Sequence, residues 1–574
     1  MTTGLSDATP TGLLPSVVLA PLVAAPLVAA PAVAPPASSR PGRWLSRIRS
    51  SRIHLWWSLG FVLLGATIEV RAYAFNRSLW LDEASISLNI TQRGFRALIQ
   101  PLGLSQAAPI GWLWLQHAAV RAFGPNEQAL RLLPLLSGLV SLLLFWAVAH
   151  RMLSRAASAV AVALFAVSPF LLEYATEVKP YATDVTCGLL LLLAALALQP
   201  DRRPRPWHYA LWALLGSALV WLSSTSLLVF LGLTAALMLT RLRGRDYRAI
   251  GLLVASTVPL LVSLAVDYQV ALKASSTNTI LLSYWQAGFL PSPVALGTAG
   301  SWLGQRAQAF VLNPLGLGGS VAPALLPSAG LLLSVALLLA IGLHSLRGER
   351  SPHRTLLLVA FLPFLGAACV HLYPFSARLI LVLVPFALLL LAASVGHRAP
   401  ALRYAALAIV LGLLGSGTLA AARLVTHPAQ REELATALDF VARHHQPGDI
   451  LLVDQLAQPA FAFYGPTRGL TQTASFSTTA TPASGCQDQA RLAAIVGRRR
   501  VWLIFSHTGV HDPDLGRTPR ARLALYGRPT LSLAAYGAGA YGYEPARRAP
   551  GASAPVTPDP TSRCLRFSPG PLAV

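Results

Sequence analysis

The sequence predicts a mostly α-helical protein that crosses a membrane many times and ends in a small α/β domain. Three observations predict this. Hydrophobic residues fill 54% of the 574 positions and charged residues only 12%, against roughly 25% charged in an ordinary soluble domain. Apolar runs of the length that spans a bilayer, about 20 residues, recur as far as about residue 422. Beyond that point the pattern changes to an amphipathic helix followed by strand-like segments.

The chain opens on an Ala/Pro-rich tract in which Pro15, Pro21, Pro26, Pro31, Pro35 and Pro36 interrupt the apolar residues. A proline inside a helix costs about 3 kcal/mol, so residues 1–50 are expected to be a disordered cytoplasmic arm rather than a span. The tract also lacks the charged start of a signal peptide. Eleven spans are then expected, at about 53–70, 131–150, 156–173, 183–199, 207–222, 225–241, 249–266, 324–344, 355–371, 378–395 and 403–422. A twelfth apolar stretch, 109–123, is short and carries Trp112 and Trp114.

Whether 109–123 spans decides the topology. If it lies on the membrane surface, every short basic loop falls on one side. These are Arg40 to Arg52, Arg151/Arg155, Arg202/Arg203/Arg205, Arg241 to Arg248, Arg347/Arg350/Arg354 and Arg398/Arg403. Short loops rich in Lys and Arg mark the cytoplasmic side. Residues 51–423 therefore form the membrane domain, with the N-terminus inside, and residues 424–574 an extracytoplasmic domain. The net charge of +23 is spread over these loops rather than gathered in one patch, which argues against nucleic acid as a partner. The Arg-, Ala-, Leu-, Pro- and Gly-rich usage is that of a GC-rich bacterial genome, so a bacterial inner membrane is expected.

Three polar segments fall on the expected outer face. The first, SLWLDEASISLNI, holds Asp82 and Glu83 side by side. Adjacent carboxylates can divide labour, one taking a proton and the other binding a hydroxyl or a metal; the alternative is a helix cap and its first turn. The second, YATEVKPYATD, holds Glu177, Lys179, Tyr181 and Asp184 at a junction between spans. An acid at membrane depth faces protein or a water-filled cavity, although a capped turn with Lys179 neutralising Glu177 also fits. The third, HLYPFSARLILVLVP, holds His371, Tyr373 and Arg378. Arg378 could clamp a phosphate, since its fork matches phosphate oxygens, or snorkel to lipid headgroups. His371 is an acid/base or ligand candidate, and a structural role is its alternative.

In their order these segments resemble the GT-C glycosyltransferases, specifically bacterial relatives of protein mannosyltransferases and aminoarabinose transferases. The resemblance runs over roughly residues 50–425. It rests on LDEA after a first span, AAPIGWLWLQHAAVRAFG and its sequel NEQALRLLPLLSG, then EVKPYA and HLYPFSARLIL. It departs from the usual pattern at Ala108-Pro109-Ile110, where Pro-Pro-Leu-Tyr is more common, and in lacking an Asp-x-Asp motif in the outer loops. The resemblance implies an inverting transfer of a sugar from a polyprenyl-phosphate carrier to a lipid, glycan or protein acceptor outside the membrane. It implies Asp82 as the base, Glu83 supporting the acceptor or a divalent metal, and Glu177 joining that catalytic cluster. Lys179 and Arg378 would hold the donor phosphate, with Tyr181, Asp184, His371 and Tyr373 lining the substrate site. No cofactor is required by these residues, and a divalent metal is left open. A transporter or flippase for a lipid-linked or anionic solute is the alternative; it would place ionisable groups near the midplane, often within internal repeats.

In the tail, REELATALDFVARHH reads as a helix, and DILLVD and RRRVWLIFSH as strands. Cys486 and Cys564 both lie there, and in an oxidising compartment they are expected to pair. Cys187 and Cys369 sit in spans as small hydrophobes. His507 and His511 with Asp512 and Asp514 are read as a solvated loop.

Overall fold

The computed structural model describes residues 41–272, 278–292, 296–317, 328–348, 351–426, 431–480, 499–507, 527–545 and 564–569. The Ala/Pro tract of residues 1–40, Cys486 of the expected disulfide, and the loop residues His511, Asp512 and Asp514 lie outside these.

The first ten helices are α1 (Pro41–Ala74), α2 (Leu81–Gln92), α3 (Ile110–Phe123), α4 (Glu127–Met152), α5 (Arg155–Ala166), α6 (Pro169–Tyr174), α7 (Tyr181–Ala197), α8 (Pro206–Leu219), α9 (Thr225–Arg243) and α10 (Tyr247–Asp267). Among the described residues seven helices are long and apolar enough to cross a membrane: Ile53–Ala74, Glu127–Met152, Thr225–Arg243, Tyr247–Val270, Ser351–Cys369, Ala377–Gly396 and Pro400–Thr426. Three shorter apolar helices, Arg155–Ala166, Tyr181–Ala197 and Ala329–Ser345, also coincide with expected spans. The expected run at 207–222 forms α8, of 14 residues.

Three details differ from the expectation. Residues 41–50, assigned to the arm, are helical and open α1, because Pro41 at a first helical position supplies a φ already suited to the helix. The run 156–173 is two helices, since Pro169 starts α6 and the backbone before a proline leaves the helical region. Trp112, expected with Trp114 on a helix at the membrane surface, is fully buried against protein; it shares a core with Ile86 and Leu130 while Trp114 is exposed. The helix that carries both, α3, has 14 residues, about 21 Å at 1.5 Å per residue, short of the roughly 30 Å hydrocarbon thickness.

Helices α4 and α7 run through the middle of the bundle. Small hydroxyl pairs stitch them together, Ser137 to Thr183 at 3.0 Å and Ser141 to Thr186 at 2.8 Å. Such contacts and close backbone approach are how helices associate where no hydrophobic effect separates protein from lipid. Two helices approach closely at Gly342, where an added Cβ would lie 2.1 Å from the Leu390 carbonyl oxygen.

The tail is a mixed six-stranded sheet with helices against it. The strands are β1 (Ile450–Asp454), β2 (Ala474–Ala480), β3 (Val501–Ser506), β4 (Gly527–Ala535), β5 (Ala538–Pro545) and β6 (Cys564–Pro569), in the order β4-β5-β3-β1-β2-β6. The central β1 is parallel to both β2 and β3, and the outer pairs are antiparallel. Every residue of β1 and β3 is buried, as central strands covered on both faces require. The helix Leu434–His444 and strands β1 and β3 sit where the sequence placed them. One face of this domain is not closed on itself. Leu438, Tyr464 and Trp502 share an apolar core with Leu79, Ile86 and Trp112 around α2 and α3.

Gly342→Ala is expected to lower the stability of the solubilised protein by about 1–3 kcal/mol, the usual cost of overpacking. A thermal melt in detergent reads this directly, and an unshifted melt would contradict the close approach.

Candidate active site

The site is built on α2, which begins one residue before the acidic pair. Its start, Trp80, contributes no side-chain cap. The exposed amides are satisfied from the tail domain instead. The Leu81 N–H donates to Glu432 Oε2 at 3.1 Å and the Leu79 N–H to the Tyr464 hydroxyl at 2.8 Å. Ser78 donates to Glu433 at 2.9 Å. An anionic group at a helix N-terminus meets both the unpaired N–H groups and the positive end of the helix dipole.

The two carboxylates on that first turn have different surroundings. Glu83 is wholly buried. Arg131 grips it as a fork, Nε to Oε1 at 3.1 Å and Nη2 to Oε2 at 2.7 Å, while the Val178 N–H donates to Oε1 at 2.9 Å. Arg77 lies 3.8 Å away. Burial alone would raise the Glu83 carboxyl, but Arg131, Arg77 and these hydrogen bonds override it and hold it below the usual range. Asp82 keeps a side chain 24% exposed, with Arg378 Nη2 at 2.6 Å and Lys179 Nζ at 3.8 Å, both from Oδ2. Burial again pushes upward, and Lys179, Arg378 and Arg431 outweigh it, so the Asp82 carboxyl lies below its ordinary value.

The cations are held as carefully as the acids. Lys179 follows the tight turn closed by its own N–H on the Glu177 carbonyl at 2.7 Å, and its Nζ donates to Gln106 Oε1 at 2.7 Å. The Arg378 guanidinium lies over the rings of Trp80, Tyr181 and Trp285 at 5.7, 5.9 and 5.3 Å. That aromatic surround favours a cation by its quadrupole, and Arg378 Nε is buried with no hydrogen-bond partner.

The segments at 82–83, 177–184 and 371–378 therefore converge, although not every expected residue faces the same space. Asp82, Lys179, Tyr181 and Arg378 gather in one cluster, in which the Asp82 side chain is partly exposed. Glu177 is buried behind it, 3.4 Å from Arg431. Its carboxyl is raised by burial and by the nearby Glu83 and Glu173, against the pull of Arg431. Asp184 is buried on α7 near the Ser223 and Thr225 hydroxyls. Tyr373 donates to the Leu379 carbonyl at 2.9 Å. His371 is exposed and stacks on Phe289 with ring centroids 5.2 Å apart.

Residues that the sequence did not single out complete the cluster: Arg77, Arg131, Gln106, Glu173, Arg431 and Glu432. Arg131 had a legible signal, since an Arg inside an otherwise apolar span implies a buried partner. Arg431 and Glu432 had none, because only folding carries the tail to α2. Among the described residues no three of His, Cys, Asp and Glu come together to hold a metal. The Asp82 and Glu83 oxygens face guanidinium and ammonium groups.

Residues 107–268 match the family model described as dolichyl-phosphate-mannose-protein mannosyltransferase. No curated protein matches the chain. Among solved structures, ArnT from Cupriavidus metallidurans in the apo state is 14% identical with a TM-score of 0.48, over 84% of this chain and 98% of that one. The same protein bound to undecaprenyl phosphate gives 0.46 at 14% identity, over the same shares. The Archaeoglobus fulgidus oligosaccharyltransferase gives 0.45 at 12% identity, over 86% of this chain and 74% of that one.

Two outcomes follow for this cluster. Arg131→Met is expected to cost about 3–5 kcal/mol, because it leaves Glu83 as an uncompensated buried charge. Arg131→Met with Glu83→Leu should recover much of that in a detergent melt. His507 Nδ1 lies 2.7 Å from Glu432 Oε1, and this bond raises the imidazole above its ordinary 6.5. The stabilisation is then complete below 6.5 and lost as pH rises through the raised value. His507→Gln should flatten that part of a stability–pH profile; an unchanged profile would reject the pair.

Proposed function

We propose that this glycosyltransferase moves a sugar from a polyprenyl-phosphate carrier to an acceptor hydroxyl in a single inverting displacement, with Asp82 as the base. The observation that supports this most directly is the contact of the partly exposed Asp82 carboxylate with Arg378 and Lys179. Both cations approach through Oδ2, so Oδ1 is the oxygen positioned to take the acceptor's proton. A phosphate arriving at Arg378 and Lys179 would draw these cations from Asp82 and strengthen it as a base at the moment it is needed.

The electron flow balances without a cofactor. The acceptor oxygen forms the new bond to the anomeric carbon, its proton passes to Asp82, and the electrons of the broken bond leave on the polyprenyl phosphate. Arg378 and Lys179 stabilise the charge growing there. Because phosphate is a good leaving group, positioning and charge stabilisation carry most of the work. Glu83, buried and saturated, fixes the turn that presents Asp82, and Glu177 balances the cations from behind. The carrier class is the one named in the matched family's description. The basic loops support a multi-pass placement with the tail domain outside, and the residue usage supports a bacterial inner membrane.

The test is transfer from a panel of labelled polyprenyl-phosphate sugars by purified protein. Asp82→Asn is expected to lower kcat by about 10²–10⁴-fold, the range of a general base, with the melt unchanged. Retained turnover would remove Asp82 from this role.

A further inference from the structure

The tail domain reaches this cluster through one residue that the reaction above does not use. Arg431 opens the tail domain's described chain, and its guanidinium lies 4.3 Å from the centroid of the Trp80 ring. Arg378 lies over the same ring at 5.7 Å. Two guanidinium groups from distant parts of the chain thus share one indole, two residues before Asp82. Arg431 is also paired with Glu173 and lies 3.4 Å from Glu177 Oε2. The Glu177 carboxylate itself is fully buried, with neither oxygen in a hydrogen bond. The Arg431 side chain is 27% exposed, so it retains access to the open side.

Its backbone is pinned. A Cβ at Gly537, in the β4–β5 turn, would lie 2.1 Å from the Arg431 carbonyl oxygen, and the next residue, Glu432, is tied to Leu81 and His507. This pinning leaves the side chain as the element free to redirect. The pairing with Glu173 is therefore a resting position within reach of the ring that Arg378 also occupies.

We propose that Arg431 is a third cation of the donor-phosphate site, supplied by the tail domain and held ready by Glu173. This rests on the donor reading given above. When a phosphate monoester or diester enters beside Trp80, a guanidinium turned from Glu173 adds a charge-assisted pair to those of Arg378 and Lys179. The donor-phosphate site is then complete only when the tail domain is docked.

Binding of undecaprenyl phosphate, with neutral undecaprenol as control, to the full chain in nanodiscs tests this. Wild-type protein is expected to prefer the phosphate. Arg431→Gln should weaken phosphate binding about tenfold or more, as loss of a charged hydrogen-bond donor does, and leave undecaprenol unaffected. Arg431→Lys should restore part of it. Glu173→Gln separates this role from a structural latch, because it frees Arg431 and should bind the phosphate as tightly as wild type or more so. Equal weakening by Arg431→Gln and Glu173→Gln, or no weakening by Arg431→Gln, would overturn the proposal. A wild-type protein without preference for the phosphate would instead sink the donor reading itself.

Discussion

The fork between Glu83 and Arg131 is the constraint on which the rest of the site depends. An ionised carboxylate and a guanidinium, both removed from water, tolerate each other only if their geometry is nearly ideal and their remaining hydrogen-bonding atoms are satisfied. Both conditions are met here, with Arg131 also donating to the carbonyls of Arg77 and Ser78. The fork thereby fixes three things together: the first turn of α2, the loop that leads into it, and the Val178 turn that places Lys179. A displacement of α2 would uncouple all of them.

That rigidity explains how neighbouring acids can differ so much. Glu83 is spent on structure, and Asp82, one residue earlier, is left partly open with cations on one oxygen. Two carboxylates on one helical turn point in different directions, so one can face the core and the other the partly exposed cluster. The excess of cations around Asp82 keeps it ionised and makes the cluster attractive to an anion. The tail domain strengthens the arrangement by capping α2 with Glu432 in place of a local cap. The tail domain and the helical bundle are thus joined through α2.

Much of this was legible in the chain itself. The spans followed from apolar length and the spread of Arg residues, because a bilayer imposes both. The Asp82, Lys179 and Arg378 segments stood out because ionisable groups are scarce in an apolar chain and need a reason to be near a membrane. The break before Pro169 and the full burial of Trp112 were not foreseen. The first is a local conflict inside an apolar run, and the second depends on what packs against α3.

The sequence by itself determined the helical membrane class, the α/β character of the tail and the residue types that the site would need. Those properties follow from hydropathy, periodicity and charge, which act along the chain. Only the tertiary structure decided which acid is buried and which is open, that Arg131 answers Glu83, and that Arg431 and Glu432 come back to α2. Those contacts join residues tens to hundreds of positions apart, as in the 296-residue separation between Asp82 and Arg378. No local pattern encodes them, because burial and pairing are settled by the packing of the whole chain.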